Sequence, residues 1–165
     1  MNEKGDSMKS NNSSVLKNAG MVDVSAKEVT KRLAMASCRI IMTSETFKTL
    51  TEKGSPKGDC FETAKVAGIM AAKSTSSIIP LCHPLNLSKV KVWFELDSRK
   101  SSVVVLTEVV CWGQTGVEME ALTAASIASL TIYDMMKWAD PSMTIQDLKL
   151  LKKTGGKSGN FERKR

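Results

Sequence analysis

One stretch limits the fold of this chain more than any other: Thr115 to Trp138, TGVEMEALTAASIASLTIYDMMKW. It is rich in Ala and studded with Leu, Ile and Met, a composition that favours helix, yet Glu118, Glu120, Asp134 and Lys137 interrupt the apolar residues. At ~100° per residue, Met119, Thr123, Ile127, Leu130, Asp134 and Lys137 fall in one stripe, with Glu120 at its edge. The helix is therefore apolar in its middle and charged at both ends. Two readings fit. The pattern alone favours an amphipathic helix whose charged ends fray into water; the alternative is that both ends look into sites.

At 165 residues with 42% hydrophobic content, the chain suits one domain around one core. Its formal charge of +7 implies an anionic partner, without choosing between nucleic acid, a membrane surface and a phosphorylated metabolite. Position narrows the choice. Lys152, Lys153 and the terminal Arg163, Lys164 and Arg165 read as solvated charge, whereas Lys57 and Lys157 stand in Gly- or Pro-containing segments where a lysine can lean over a bound anion. The most apolar run, Ala121 to Met136, is too rich in Ser and Thr to span a bilayer. Cys38, Cys60, Cys82 and Cys111 lack the paired spacing of a zinc site and read as reduced core residues. A single histidine, His83, leaves little room for a histidine-ligated metal, and no metal site is expected.

Residues 1–20 are polar and without periodicity, so disorder is expected there, followed by a single domain over 21–161 and a basic tail at 162–165. The first segment has no Arg and contains Glu3 and Asp6, which does not read as a mitochondrial presequence. Cys38 to Met42 suits a short buried strand. Thr43 or Ser44 then caps a helix closed by Gly54, and Asp59, with Glu62 three positions on, caps a second helix running to Ser74. Leu87–Leu96 alternates Val90, Val92, Phe94 and Leu96 with Lys89, Lys91, Trp93 and Glu95, a half-buried strand whose hairpin partner is Ser102–Trp112. Asp140-Pro141 ends the long helix, and Thr144–Leu151 is the last expected strand. This order predicts an α+β, ferredoxin-like fold: a four-stranded antiparallel sheet with the helices on one face.

Four places carry candidate chemistry. Gly155-Gly-Lys-Ser-Gly159 is not a Walker loop, because Leu151 stands where the first glycine would and no helix can follow; a tail or a phosphate-cradling turn remains. Pro80-Leu-Cys-His-Pro84 fixes the only imidazole in a rigid loop, suited to acid–base work or to a hydrogen bond with a ligand. Cys82 beside it has no second histidine to activate it and reads as packing. Lys57 precedes a helix N-terminus, where free amides already favour an anion. Asp134 and Lys137, at i and i+3, are helix neighbours among Ile132, Met135 and Met136.

The runs Lys57-Gly-Asp59, Ile79-Pro-Leu-Cys-His-Pro84, Thr115 to Ser126, Leu130 to Met135 with Lys137, and Lys153 to Gly159 closely resemble the cyclic pyranopterin monophosphate synthase family, the type C proteins of molybdenum-cofactor biosynthesis. The resemblance runs from Met21 to about Phe161. It implies a lyase that rearranges a cyclised dihydroguanosine triphosphate to a pyranopterin, closes a cyclic phosphate and releases pyrophosphate. By matching position it implies catalytic roles for Asp134, Lys137 and Lys57, and substrate contacts from Leu81, Cys82, His83, Glu118, Met119, Glu120 and Lys157. Gln114 stands where that family is expected to carry lysine. No cofactor is implied beyond a Mg2+ ion accompanying the triphosphate. The implied assembly is a hexamer built as a trimer of dimers, with no nucleic-acid or membrane partner, in the cytoplasm or, for a eukaryotic source, the mitochondrion.

The bottom-up reading agrees with this chemistry: lysines supply cations for a triphosphate, and Asp134 and His83 are proton donors and acceptors. A basic ferredoxin-like sheet also suits an RNA-recognition module, but the central strands lack the aromatic run that stacks bases. A regulatory domain that binds a small ligand without turnover is the third reading. Spacing adds a constraint. Glu120 and Asp134 are 14 positions apart, ~21 Å along one helix, so either the helix starts after Glu120 or a second subunit completes the site.

Overall fold

The computed structural model describes residues 20–157 and 159–164; the disorder expected of residues 1–20 falls, but for Gly20, outside them. The first strand, β1 (Thr30–Ile41), is far longer than the Cys38–Met42 run that marks it in the sequence. Its inward positions are Arg32, Ala34, Ala36, Cys38 and Ile40, and the small and charged residues of the first half carry little strand signal. Next comes α1 (Ser44–Glu52), whose cap Thr43 accepts from the Thr46 amide at 3.2 Å. The cap of α2 (Cys60–Lys73), Asp59, accepts from the Glu62 amide at 3.0 Å. The Glu62 carboxylate pairs with Lys65 instead of reaching back, so only half of the expected capping box forms.

A single turn, α3 (Thr75–Ile78), leads into the proline-flanked loop. The hairpin of β2 (Leu87–Asp97) and β3 (Ser102–Gly113) closes through a 3-10 turn at Ser98–Lys100. The long helix is α4 (Glu118–Met136), followed by β4 (Thr144–Thr154) and β5 (Phe161–Glu162).

The sheet runs β2-β3-β1-β4-β5, antiparallel throughout, with β1 paired to β3 from Thr30↔Gly113 to Ile41↔Ser102. It has five strands, not the four expected. The additional strand pairs Phe161 with Lys153 and Glu162 with Lys152, a run too short to carry any pattern. The basic segment expected at 162–165 thus begins inside a strand, and Arg163 donates from its backbone N and its Nε to the carbonyls of Leu151 and Leu150 at 2.8 and 2.9 Å.

Helices cover one face, as the sequence predicts. α4 lies on β1, β3 and β4, and α2 lies beside it against β2. Small residues allow this close approach: Ala121, Ala124, Ala125 and Ala128 of α4 are wholly buried, and a Cβ on Gly68 of α2 would stand 3.0 Å from the Ala124 carbonyl oxygen. The outer stripe of α4 carries Met119, Leu130, Asp134 and Lys137, all exposed. The sheet's other face holds Met35, Trp93, Val104 and Trp112, none of them buried.

Candidate active site

Polar side chains gather at both ends of α4. At its C-terminal end, the turn from Gly54 to Gly58 takes positive φ at both glycines, +75° and +108°, which favours glycine at each. Ser55 ties this turn to the helix by donating from Oγ to the Met135 carbonyl at 2.7 Å, and accepts from the Lys57 amide at 3.2 Å. Lys57 Nζ thereby reaches Asp134 Oδ2 at 2.7 Å and the Asp134 carbonyl at 3.3 Å. Lys137 Nζ reaches the other carboxylate oxygen, Oδ1, at 2.8 Å.

Each oxygen of one carboxylate therefore holds a lysine, and all three side chains are about half exposed. Hydrogen bonds from Lys137 and then Lys57 pull the Asp134 carboxyl down to about 2, and the same pairing pushes the Lys137 ammonium up. Such a carboxylate accepts hydrogen bonds and orients cations, while the Lys137 ammonium remains a proton donor. Exposed pairs contribute little to stability, so this cluster is not explained by folding.

At the N-terminal end of α4, two adjoining cavities of about 420 and 410 Å3 share Lys27, Thr115, Gly116 and Glu118. The first is basic: Arg32, Lys153 and Lys157 line it with the backbone of Gly155 and Gly156. Arg32 is buried and donates from Nε to the Gly113 carbonyl at 3.2 Å and from Nη2 to the Gln114 carbonyl at 3.3 Å. The glycine loop folds over it. Gly156 has φ +81°, and a Cβ there would stand 1.8 Å from Arg32 Nη1. Lys153 Nζ pairs with Glu118 Oε1 at 3.1 Å.

The second cavity is lined by Val22, Val24, Leu81, Cys82, His83, Met119 and Glu120. His83 Nε2 lies 2.8 Å from the Val22 carbonyl, which can only accept, so this ring nitrogen carries the proton. Burial pushes the Cys82 thiol up, and Glu120 adds to the effect, which keeps sulfur in its unreactive form. Glu120 is only 4% exposed, so this end of the helix does not fray into water. Burial pushes its carboxyl up, with Glu118 adding to the shift.

That shift has a sign that can be measured. A carboxyl raised on folding holds its proton more readily in the native state, so stability falls as pH rises from the unfolded value through the folded one. Glu120→Gln is therefore expected to raise the thermal midpoint near neutral pH, and the gain should shrink as pH falls from the raised value to the ordinary glutamate range, below which it is flat. A midpoint difference independent of pH would show that the charge is not what burial opposes.

The structure thus brings Leu81, Cys82, His83, Glu118, Met119, Glu120 and Lys157 around two adjoining cavities, and brings Lys57, Asp134 and Lys137 together elsewhere. It does not join the two groups within one chain. α4 is unbroken from Glu118, so the possibility that it starts after Glu120 is closed. Lys27, Arg32 and Lys153 also line the basic cavity, where the sequence marks neither Lys27 nor Arg32 and Lys153 reads as solvated charge. For Arg32 a signal existed: it continues the alternation of Ala34, Ala36 and Cys38 and so faces inward. Among the described residues, no group of three or more His, Cys, Asp or Glu could hold a metal ion. No helix of the described residues is long and apolar enough to cross a membrane.

Fold and site together define an α+β protein built to hold an anionic small molecule beside a partly apolar recess. The chain belongs to the MoaC family, whose model matches residues 21–156. It is 53% identical over 146 residues to the cyclic pyranopterin monophosphate synthase of Parvibaculum lavamentivorans, covering 88% of this chain and 91% of that relative. It is 52% identical to the proteins of the same name from Heliobacterium modesticaldum, covering 88% and 91%, and from Chloroflexus aurantiacus, covering 89% and 90%.

Proposed function

We propose that this chain is a cyclic pyranopterin monophosphate synthase, a lyase of molybdenum-cofactor biosynthesis. Its substrate would be the cyclised dihydroguanosine triphosphate, and its products cyclic pyranopterin monophosphate and pyrophosphate. The observation that carries this reading is the pair of adjoining cavities: a basic one fit for a polyphosphate, and a partly apolar one with His83 and Glu120 fit for a heterocycle. The names of relatives at about half identity support it.

In this reading residues 21–161 form one catalytic domain. Lys157, with Lys27, Arg32 and Lys153, neutralises the phosphates. Leu81, Cys82, His83, Glu118, Met119 and Glu120 contact the ring system, and Asp134, Lys137 and Lys57 carry the chemistry. Protonated Lys137 is suited to donate a proton or to stabilise developing negative charge, and Asp134 fixes both lysines. The rearrangement changes no net oxidation state, so no redox cofactor is required, and a Mg2+ ion accompanying the triphosphate is compatible with the site. The order of the four long strands, β2-β3-β1-β4, supports the ferredoxin-like reading. Four free cysteines suit a reducing cytoplasm.

The assembly proposed is a homo-oligomer, a trimer of dimers, with each site shared across a dimer. Exposed Val66, Met70 and Leu130 on the helices and Trp112 on the sheet offer two apolar faces for such contacts. Purified protein supplied with authentic substrate should release pyrophosphate and form the cyclic phosphate with no partner protein present. Absence of pyrophosphate release would overturn the proposal, and binding without turnover would return the chain to a regulatory role.

A further inference from the structure

The segment that precedes β1 is tied down by its backbone. The Val22 carbonyl accepts from His83 Nε2 at 2.8 Å, and the carbonyls of Ser25 and Lys27 accept from Gln114 Nε2 at 3.2 and 3.0 Å. Both of Gln114's neighbours are carbonyls, so it is the amide nitrogen, with its two N–H donors, that must face them. Gln114 is itself held in place. Its own carbonyl accepts from Nη2 of Arg32, which is buried beneath the glycine loop.

These bonds hold the segment as a strap along the wall of both cavities. Val22 and Val24 line the partly apolar cavity, and Lys27 lines both cavities. Within the strap, the Ser25 amide donates to Asp23 Oδ1 and the Lys27 amide to the Val24 carbonyl, each at 2.9 Å; the bonds from Gln114 tie Ser25 and Lys27 to the end of β3, whereas the His83 bond acts upstream, at Val22. A lysine ammonium rides on a flexible stem, so what fixes its reach is where its backbone sits.

We propose that Gln114 is a positioning residue for anion binding: by holding the Ser25 and Lys27 carbonyls it places the Lys27 ammonium at the junction of the two cavities, where the polyphosphate of a ligand meets its ring system. The assignment to a polyphosphate rests on the proposed function above; the strap and its tie do not. Gln114 itself lines the basic cavity, but its side-chain amide nitrogen faces the two strap carbonyls, so it acts through Lys27.

The test compares Gln114→Met, similar in length but without a donor, with Gln114→Lys, which restores one. On the full chain, three quantities are read: the rate of trypsin cleavage after Lys27, followed by the mass of the released fragment; the Kd of inorganic pyrophosphate by calorimetry; and KM and kcat for pyrophosphate release. Losing two hydrogen bonds in Gln114→Met should speed cleavage after Lys27 and weaken pyrophosphate binding, each by roughly tenfold, with KM rising more than kcat falls. Gln114→Lys should return cleavage after Lys27 towards the original rate. Original cleavage and pyrophosphate affinity in Gln114→Met would overturn the proposal, as would a Gln114→Lys strap cleaved as fast as that of Gln114→Met. A chain that fails to turn over substrate would count against the proposed function alone, because cleavage and pyrophosphate binding still decide the role of Gln114.

Discussion

Lys137→Ala and Asp134→Ala should each lower kcat by ~10²–10⁴-fold while leaving the thermal midpoint nearly unchanged. The two halves of this expectation have one cause. All three members of the Lys57–Asp134–Lys137 cluster are about half exposed, and ion pairs in that setting contribute little to folding. If they were kept only as a helix-surface pair, removing them would cost neither stability nor activity. Their geometry is more than a helix-surface pair, since the turn at Gly54–Gly58 and the Ser55 bond to the Met135 carbonyl deliver Lys57 to a carboxylate that Lys137 already holds. Because the members act as one unit, the Asp134→Ala, Lys137→Ala double variant should lose little beyond either single variant.

The cluster also predicts a pH signature. A carboxyl pulled down to about 2 is ionised throughout the working range, and its pairing is lost only as pH falls through that value. An acid limb of the rate at or above the ordinary carboxylate range would therefore belong to another group, and one above that range points to buried Glu120, pushed upward. Near-normal rates in both single variants, measured by pyrophosphate release, would return the cluster to the status of a surface ion pair.

Legibility in the sequence followed the strength of local signals. The α4 helix, the Asp59 cap and the β2 strand are visible because periodicity and capping chemistry act within a few residues, and the structure reproduces each; the stripe from Met119 to Lys137, however, lies mostly outward, and the Ala-rich face of α4 is the buried one. β1 shows only its last third as an apolar run, since Ala34 and Ala36 face a helix packed too closely to admit larger side chains, and Arg32, a charged residue, lies under the glycine loop. β5 is invisible because it is two residues long, paired to β4 through the backbone and one Lys152–Glu162 ion pair. The same distinction separates the site residues. Lys57, His83 and Lys157 sit among Pro and Gly, which mark loops, whereas Arg32 and Lys153 sit within strands and reach their cavity only through the β1–β4 pairing, a contact between distant parts of the chain. The burial of Glu120 is likewise tertiary: no neighbour in sequence reports that its end of α4 is closed off.

Equal mixtures of inactive Glu120→Ala chains and inactive Asp134→Ala chains should recover about a quarter of the original activity once subunits exchange. The argument begins with length. α4 is unbroken from Glu118 to Met136, so Glu120 and Asp134, 14 positions apart, are separated by ~21 Å, and the two cavities at its N-terminal end are lined by none of Lys57, Asp134 and Lys137. One small substrate cannot touch both groups in the same chain. A two-fold axis crossing the outer face of α4 would set two such helices antiparallel, bringing the cavities of one chain to the lysine–aspartate cluster of its partner and making two equal sites. The exposed stripe of Met119, Leu130, Asp134 and Lys137 lies along the face such an axis would cross. With random exchange about one half of the dimers are mixed, and each mixed dimer holds one site with both residues intact and one with both removed. If instead each site drew both residues from a single chain, every site in the mixture would keep a defect. No recovery of pyrophosphate release, with exchange proven by mass labelling of the two chains, would rule out the shared site.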